Sequence, residues 1–325
     1  MKILGMGNAL VDILALMNSD DLLTELDMPK GSMALIDKEK RAYIFDKIEN
    51  LEKEMTTGGS ASNTSLALAK MGVQVGFIGK VGSDEYGAFY IDEIKKTGII
   101  PHFITENAPS GTAIALISPD AERTFGTYLG VAANLTQEEL KADIFKSYNY
   151  FYIEGYLVQN YALIENAVKM AKCHGLKIAI DLASYNVVEA NREFLKKIIV
   201  EYVDIVFANE EEARALTGKQ AEEAVKEIAE YVEIAVVKIG ERGSLISNKK
   251  EEVYVPVYKA NFIDATAAGD YYAAGFFYGL FNNGSLEQCG KIGSLLAANI
   301  VETVGTKLTE DCWLKIKNKT IEILN

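Results

Sequence analysis

In the stretch IDATAAGDYYAAGFFYGL (263–280), Asp264 and Asp270 bracket five small residues, and Asp270 heads an apolar run of helical character. A carboxylate in that place can be a helix N-cap, complementing the positive end of the helix dipole. It can also be a general base beside free backbone N–H groups that bind an anion. Small residues ahead of the helix would let a phosphate approach the backbone.

Three further stretches offer polar groups of related chemistry. TGGSASNTSLALAKMG (57–72) sets Gly58 and Gly59 before a helix and Asn63 in its first turn. That is either a glycine loop with a serine cap or a polar floor for hydroxyls. FANEEEARALTG (207–218) ends a strand at Asn209 and opens a helix carrying Glu212. An Asn cap with an acidic first turn accounts for it. The functional alternative is a carboxylate at the C-terminal edge of a sheet, holding the water shell of Mg²⁺. VVKIGERGSLI (236–246) is by itself an ordinary glycine turn. Two decoys fall away: GMGNAL (5–10) has Leu10 where a dinucleotide fingerprint needs its third glycine, and the GK at 79–80 has Gln74 where a P-loop needs its first.

The elements that must position these groups alternate. Apolar strands are expected at 2–7, 75–81, 148–155, 177–182, 203–209 and 233–240. Helices are expected at 61–71, 84–97, 160–174, 187–200, 209–217, 221–231, 270–282, 285–303 and 309–323. Continuous β-branched runs between helices imply βαβ units and a mostly parallel sheet covered on both faces. Residues 13–36 and 102–130 break the alternation, with SMALID, HFITEN, TAIALISPD and ERTFGTYLG reading as antiparallel pieces of a small accessory sheet.

The 325 residues carry a net charge of −13, which argues against a nucleic-acid surface. It leaves room for an anionic ligand held by backbone N–H groups. The three cysteines are scattered, so neither a zinc site nor a disulfide framework is expected. With no run of about 18 uncharged apolar residues, no membrane span is expected, and the chain reads as cytoplasmic.

In their order, these motifs resemble the ribokinase, or PfkB-type, family of carbohydrate kinases, which includes adenosine kinases. GGSASNTSLALAKMG (58–72) matches its N-terminal signature and DATAAGD (264–270) its D-T-x-G-A-G-D, while NEEE (209–212), KIGERG (238–243) and an early Asp12 match further positions. The resemblance implies one domain over 1–325 with a three-layer α/β/α fold, a mostly parallel central sheet and a small β lid near 13–36 and 102–130. It implies transfer of the γ-phosphoryl of ATP to a hydroxyl of a small-molecule sugar or nucleoside, with Mg²⁺, by a monomer or homodimer.

By the same resemblance, Asp270 is the base and the N–H groups of Ala267, Ala268 and Gly269 form the anion hole. Asn209 and Glu212 organise Mg²⁺. Lys238, Gly240, Gly243 and Asn299 border the adenine and ribose. Asp264, with Thr266, lies on the cofactor side near a monovalent-cation site such as one for K⁺. Asn8, Asp12, Gly58, Gly59 and Asn63 hold the acceptor's hydroxyls, and Arg123 faces the site from the lid. The chain departs from the pattern at Ala265 and Ala267, where the family has Thr and Gly. Because Ala disfavours positive φ, the loop is expected to use a conformation open to L-residues. A non-catalytic binding protein of the same fold is the alternative in a different class.

Overall fold

The protein is described from a computed structural model covering residues 1–120 and 122–325; Ala121, inside the 102–130 segment, lies outside the described residues. The strands are β1 (Lys2–Met6), β2 (Leu10–Leu16), β3 (Met33–Leu35), β4 (Lys53–Gly58), β5 (Gln74–Gly82), β6 (Ile100–Glu106), β7 (Gly111–Ile117), β8 (Arg123–Tyr128), β9 (Tyr150–Glu154), β10 (Lys177–Asp181), β11 (Ile205–Asn209), β12 (Ile234–Lys238), β13 (Ser244–Ser247) and β14 (Glu252–Val255).

Nine of them form one sheet in the order β14-β13-β12-β11-β10-β9-β1-β5-β6. It is parallel from β12 to β6, and a hairpin-like antiparallel edge adds β13 and β14. The apolar runs divide between its two faces at every second residue, as a pleated strand requires. Ile178, Ile180, Val206 and Ala208 join a core with helices Tyr161–Cys173, Arg192–Tyr202 and Ala221–Tyr231. Ala179, Ile205, Phe207 and Val236 join the other, with helices Ser60–Lys70, Ala268–Phe281 and Leu286–Ile300. The result is a three-layer α/β/α, ribokinase-like fold.

The second sheet, of order β3-β8-β7-β2-β4, differs from its expectation in three ways. It is mixed: β2–β7 and β3–β8 run parallel, β2–β4 and β7–β8 antiparallel. HFITEN is not part of it, because Phe103 packs edge-on against Phe77 and Tyr90 and docks β6 beside β5 in the large sheet. Its place is taken by β4, from the polar-looking KEMTTG, which edges the sheet with its first half exposed. The helix expected at 187–200 is two, Tyr185–Ala190 and Arg192–Tyr202, broken at Asn191, whose side chain bonds back to the Val187 carbonyl. Among the described residues no helix is long and apolar enough to cross a membrane.

The helix bearing Asp270 lies tight against Leu286–Ile300. A Cβ on Gly275 would sit 2.5 Å from the Ile292 carbonyl oxygen and 2.8 Å from Gly293 Cα. Backbone on both sides leaves nothing soft to yield. Gly275→Ala is therefore expected to lose about 1–3 kcal/mol to overpacking, despite the roughly 1 kcal/mol that Ala gains in helix propensity. Guanidinium unfolding midpoints measure this. An unchanged or raised midpoint would mean the two helices separate freely.

Candidate active site

Helix Ala268–Phe281 starts from a turn built on Asp264. Asp264 Oδ1 accepts the N–H (3.0 Å) and Oγ1 (2.7 Å) of Thr266, and Ala268 N–H closes the turn on the Ala265 carbonyl at 3.1 Å. Between them Ala267 takes the left-handed conformation, φ +61°. That corrects the expectation of an ordinary L-residue backbone: the turn's bonds on both sides hold Ala267 there at a strain of about 1–2 kcal/mol. Among the described residues the N–H groups of Ala267, and of Gly269 and Asp270 in the first helical turn, have no backbone acceptor, as at any helix start. The trio expected to be open was Ala267, Ala268 and Gly269; the Ala268 N–H is engaged, and that of Asp270 is free.

Asp270 is held by the N-terminus of a second helix on the same face of the sheet. Ser60 Oγ donates to Oδ1 (2.7 Å), Asn63 Nδ2 to Oδ2 (2.9 Å), and Thr64 Oγ1 to the Asp270 carbonyl (3.1 Å). Helix Ser60–Lys70 can begin there because Gly59 adopts φ +98°, and any Cβ on it would strike the Asn8 carbonyl oxygen at 2.1 Å. Gly58 is pressed equally hard on the Asp12 carboxylate, which a Cβ at that position would meet at 2.1 Å. Burial pushes Asp270 up to about 7, and the Asp181 charge adds to it; the bonds from Asn63 and Ser60 and the Lys238 charge pull the other way.

Asp181 and Glu154 end β10 and β9 at the same edge, and neither was anticipated. Lys238 Nζ pairs with Asp181 Oδ2 at 2.9 Å. Glu154 accepts the N–H and Nδ2 of Asn8 (2.8 and 2.7 Å) and the Ala61 N–H (2.9 Å). Burial pushes Glu154 up to about 7 against those bonds. Their one sequence signal was an acid closing a buried apolar strand, in YFYIEG and KIAIDL. Ser60 also went unrecognised, because a serine at a helix start passes for a cap.

Asn209 and Glu212 form a full capping box. Glu212 takes the Asn209 N–H on Oε2 and Nδ2 on Oε1, and its own N–H bonds Asn209 Oδ1, all at 2.8 Å. Burial and then Asp181 push Glu212 up to about 7, partly offset by Lys238. Asp12, on β2, is driven to about 7 by burial against the pull of Arg123, and it accepts no hydrogen bond from the described residues.

One cavity of about 1880 Å³ between the two sheets gathers Asn8, Asp12, Gly59, Ser60, Asn63, Glu154, Asp181, Asn209, Glu212, Lys238, Gly240, Gly243 and the turn from Ala265 to Asp270. Four expected site residues do not line it. Gly58 stands behind Asp12, and Asp264 underlies the turn. Asn299 bonds the Leu295 carbonyl and Cys312 on the opposite side of its helix from Ser294, Ala297, Ala298 and Val301, which do line the cavity. Arg123 does not line the cavity but pairs with Asp264 Oδ2 at 2.6 Å, tying β8 to the turn before Asp270, while its charge still reaches Asp12. Burial pushes Asp264 up, but Thr266, the Gly305 N–H and Arg123 outweigh it and hold its carboxyl below the usual range. Lys238 lies at the head of helix Ala268–Phe281 rather than over the glycine turn, since a Cβ on Gly269 would be 3.1 Å from Nζ.

Fold and site together define a ribokinase-like kinase. The model of the pfkB family carbohydrate kinases matches residues 32–312, and the chain belongs to that family. It superposes on a probable sugar kinase from Rhizobium etli CFN 42 with a TM-score of 0.87, at 30% identity over 98% of both chains. It superposes on the adenosine kinase from Sinorhizobium meliloti with a TM-score of 0.86, at 30% identity over 98% of this chain and 99% of that one. A 5-dehydro-2-deoxygluconokinase of Listeria monocytogenes is 28% identical over 295 residues, 85% of this chain and 90% of the relative. The protein is a phosphotransferase with an alcohol acceptor, a sugar or nucleoside kinase, and the family implies use of ATP.

The left-handed Ala267 gives a direct test of the turn. Ala267→Gly is expected to raise stability by about 1 kcal/mol, the strain relieved exceeding the entropy that glycine adds to the unfolded chain. Urea unfolding checks it. A loss of stability would mean that Ala267 is not left-handed in solution.

Proposed function

We propose that this kinase transfers the γ-phosphoryl of ATP to a hydroxyl of a nucleoside, with Asp270 as the general base. The observation that carries the reading is the meeting, in one cavity, of a carboxylate poised near neutrality with three open N–H groups at a helix start. The acceptor oxygen bonds to the γ-phosphorus, its proton passes to an Asp270 carboxylate oxygen, and the bond from phosphorus to the β–γ bridging oxygen breaks, its electron pair leaving on ADP. The N–H groups of Ala267, Gly269 and Asp270 face the charge on the transferred group.

The acceptor's class is read from what the cavity leaves unsatisfied. Among the described residues no donor bonds either Asp12 carboxylate oxygen, which suits a vicinal diol. Among the described residues nothing bonds the buried amide oxygens of Asn8 and Asn63. Around them Leu10, Leu35, Phe125, Leu129 and Leu135 give an apolar wall that a free sugar would leave uncovered and a nucleoside base would cover.

The donor set fits Mg²⁺ held through its waters. Both Glu212 oxygens are occupied by Asn209, and among the described residues no three acidic, His or Cys groups gather to chelate an ion directly. Asn209 and Glu212 would hold that hydrated ion, which when bound neutralises phosphate charge. A monovalent ion finds little purchase at Asp264, whose carboxylate already carries the Arg123 guanidinium.

A coupled assay over a panel of nucleosides and sugars with MgATP is expected to give turnover with a nucleoside. Turnover with sugars alone would reject the nucleoside assignment. As Asp270 must be ionised, kcat/KM for the acceptor should rise about tenfold per pH unit up to about 7 and then level off. A flat profile below 7 would remove Asp270 from the base role. Asp270→Asn should abolish turnover while leaving ATP binding. Because the folded pKa is raised, the ionised carboxylate costs stability as pH climbs from about 4 to 7. The variant should therefore melt above wild type at pH 8, and the gap should close near pH 4.

A further inference from the structure

Lys238 brings an ammonium to the turn that carries the open N–H groups. It ends β12, borders the cavity, and its side chain is 17% exposed. Asp181 Oδ2, at 2.9 Å, is its single hydrogen-bond acceptor among the described residues, so two of its three donors remain uncommitted. The 3.1 Å between Nζ and a Cβ position on Gly269 puts the charge against the turn itself. Any side chain at 269 would press on it, which gives Gly269 a spatial reason.

Burial works against the charge, yet Asp181, Glu212 and Asp270 outweigh it and keep Lys238 protonated. A sheltered ammonium is little screened by salt and acts as a compact point charge on phosphate oxygens. Backbone N–H groups at a helix start supply only about half an elementary charge. The phosphoryl group in flight spreads more negative charge than that over its equatorial oxygens.

We propose that Lys238 is a catalytic residue: with Asp181 holding it in place, its ammonium binds the equatorial oxygens of the transferred phosphoryl beside the N–H groups of Ala267, Gly269 and Asp270. This rests on the reading of that turn as the phosphoryl site. Asp181 is then a positioning residue, acting through Lys238. The competing role is purely internal, with Lys238 present only to neutralise Asp181.

Three full-length variants separate the two: Lys238→Met, Asp181→Asn, and both together. Calorimetric titration with MgATP and MgADP needs no acceptor. Lys238→Met is expected to weaken ATP about tenfold or more beyond its effect on ADP, as loss of a charged hydrogen bond to the γ-phosphate would. Its kcat should fall about 10²–10³-fold, the scale for removal of a preorganised oxyanion donor. The double variant removes the Asp181 charge together with the ammonium that pairs with it, so it folds on the internal-neutralisation account, and its kcat should stay as low as that of Lys238→Met. Equal weakening of ATP and ADP, or recovery of wild-type kcat in the double variant, would overturn the proposal. If Lys238→Met does not fold, the double variant is read in its place. If wild type phosphorylates no nucleoside or sugar, the proposed reaction falls, while the ATP-against-ADP comparison still decides the role of Lys238.

Discussion

The 2.9 Å pair of Asp181 and Lys238 lets the other acidic groups of this site coexist. Parallel strands deliver their carboxyl ends to one edge, and here β9, β10 and β11 deliver Glu154, Asp181 and the Asn209–Glu212 cap side by side. Helix Ala268–Phe281 adds Asp270. Like charges this close, out of water, raise one another's affinity for protons, and burial does so more strongly still. Glu154, Glu212 and Asp270 each stand near 7. Lys238 lowers both Glu212 and Asp270, so removing it would raise the proton affinity of both. The arrangement spends fold stability on gathering buried carboxylates whose proton affinity is raised, as functional sites do.

Small residues provide the geometry that those charges need. Helices Ser60–Lys70 and Ala268–Phe281 point their N-termini at a common space, and Asp270 spans it, anchored by Ser60 and Asn63. Gly59 lets the first helix begin against the Asn8 carbonyl, and Gly275 lets the second lie on its neighbour's backbone. A Cβ at either point would meet a backbone carbonyl oxygen, at 2.1 Å on Asn8 and 2.5 Å on Ile292, so the helix that anchors or carries the carboxylate would have to shift. The strained Ala267 works to the same end: it carries the chain from the Asp264 turn into a helix whose first residues, with N–H groups that have no backbone acceptor among the described residues, line the cavity.

Much of this was legible, for definite reasons. The central strands are unbroken apolar runs with one reading, and β1, β5 and β9 to β12 lie where those runs lie. Residues of 59–63, 209–212, 238 and 265–270 meet in one cavity because motifs at strand ends converge in a parallel sheet. What escaped depends on contacts that local sequence does not encode. An acid after IAI or YI looks like any strand end until its partners, Lys238 or Asn8, arrive from elsewhere in the chain. KEMTTG carries exposed residues through half its length, as an edge strand can, so its pairing to β2 left no apolar alternation. HFITEN has the composition of either sheet, and only Phe103 meeting Phe77 and Tyr90 chooses. Asn299 missed the cavity by helical phase, one residue past the lining position Ala298.

Arg123 shows how the two sheets are made to depend on each other. Asp264 gives one carboxylate oxygen to Thr266, shaping the turn, and the other to the Gly305 N–H and Arg123. The pair is largely sheltered, at 10% and 14% exposure, so its attraction is not diluted as a surface pair's would be. One carboxylate thus fixes both the backbone that opens the N–H groups and the strand β8 that closes the cavity from the other side. A movement of the small sheet that draws β8 away must give up the 2.6 Å bond and leave Asp264 buried with only neutral donors. The turn's own bonds from Thr266 and Gly305 would then carry a less stabilised charge, and the left-handed Ala267 would be held less firmly. The geometry of the N–H groups is in this way coupled to the position of a sheet that contributes no atom to them.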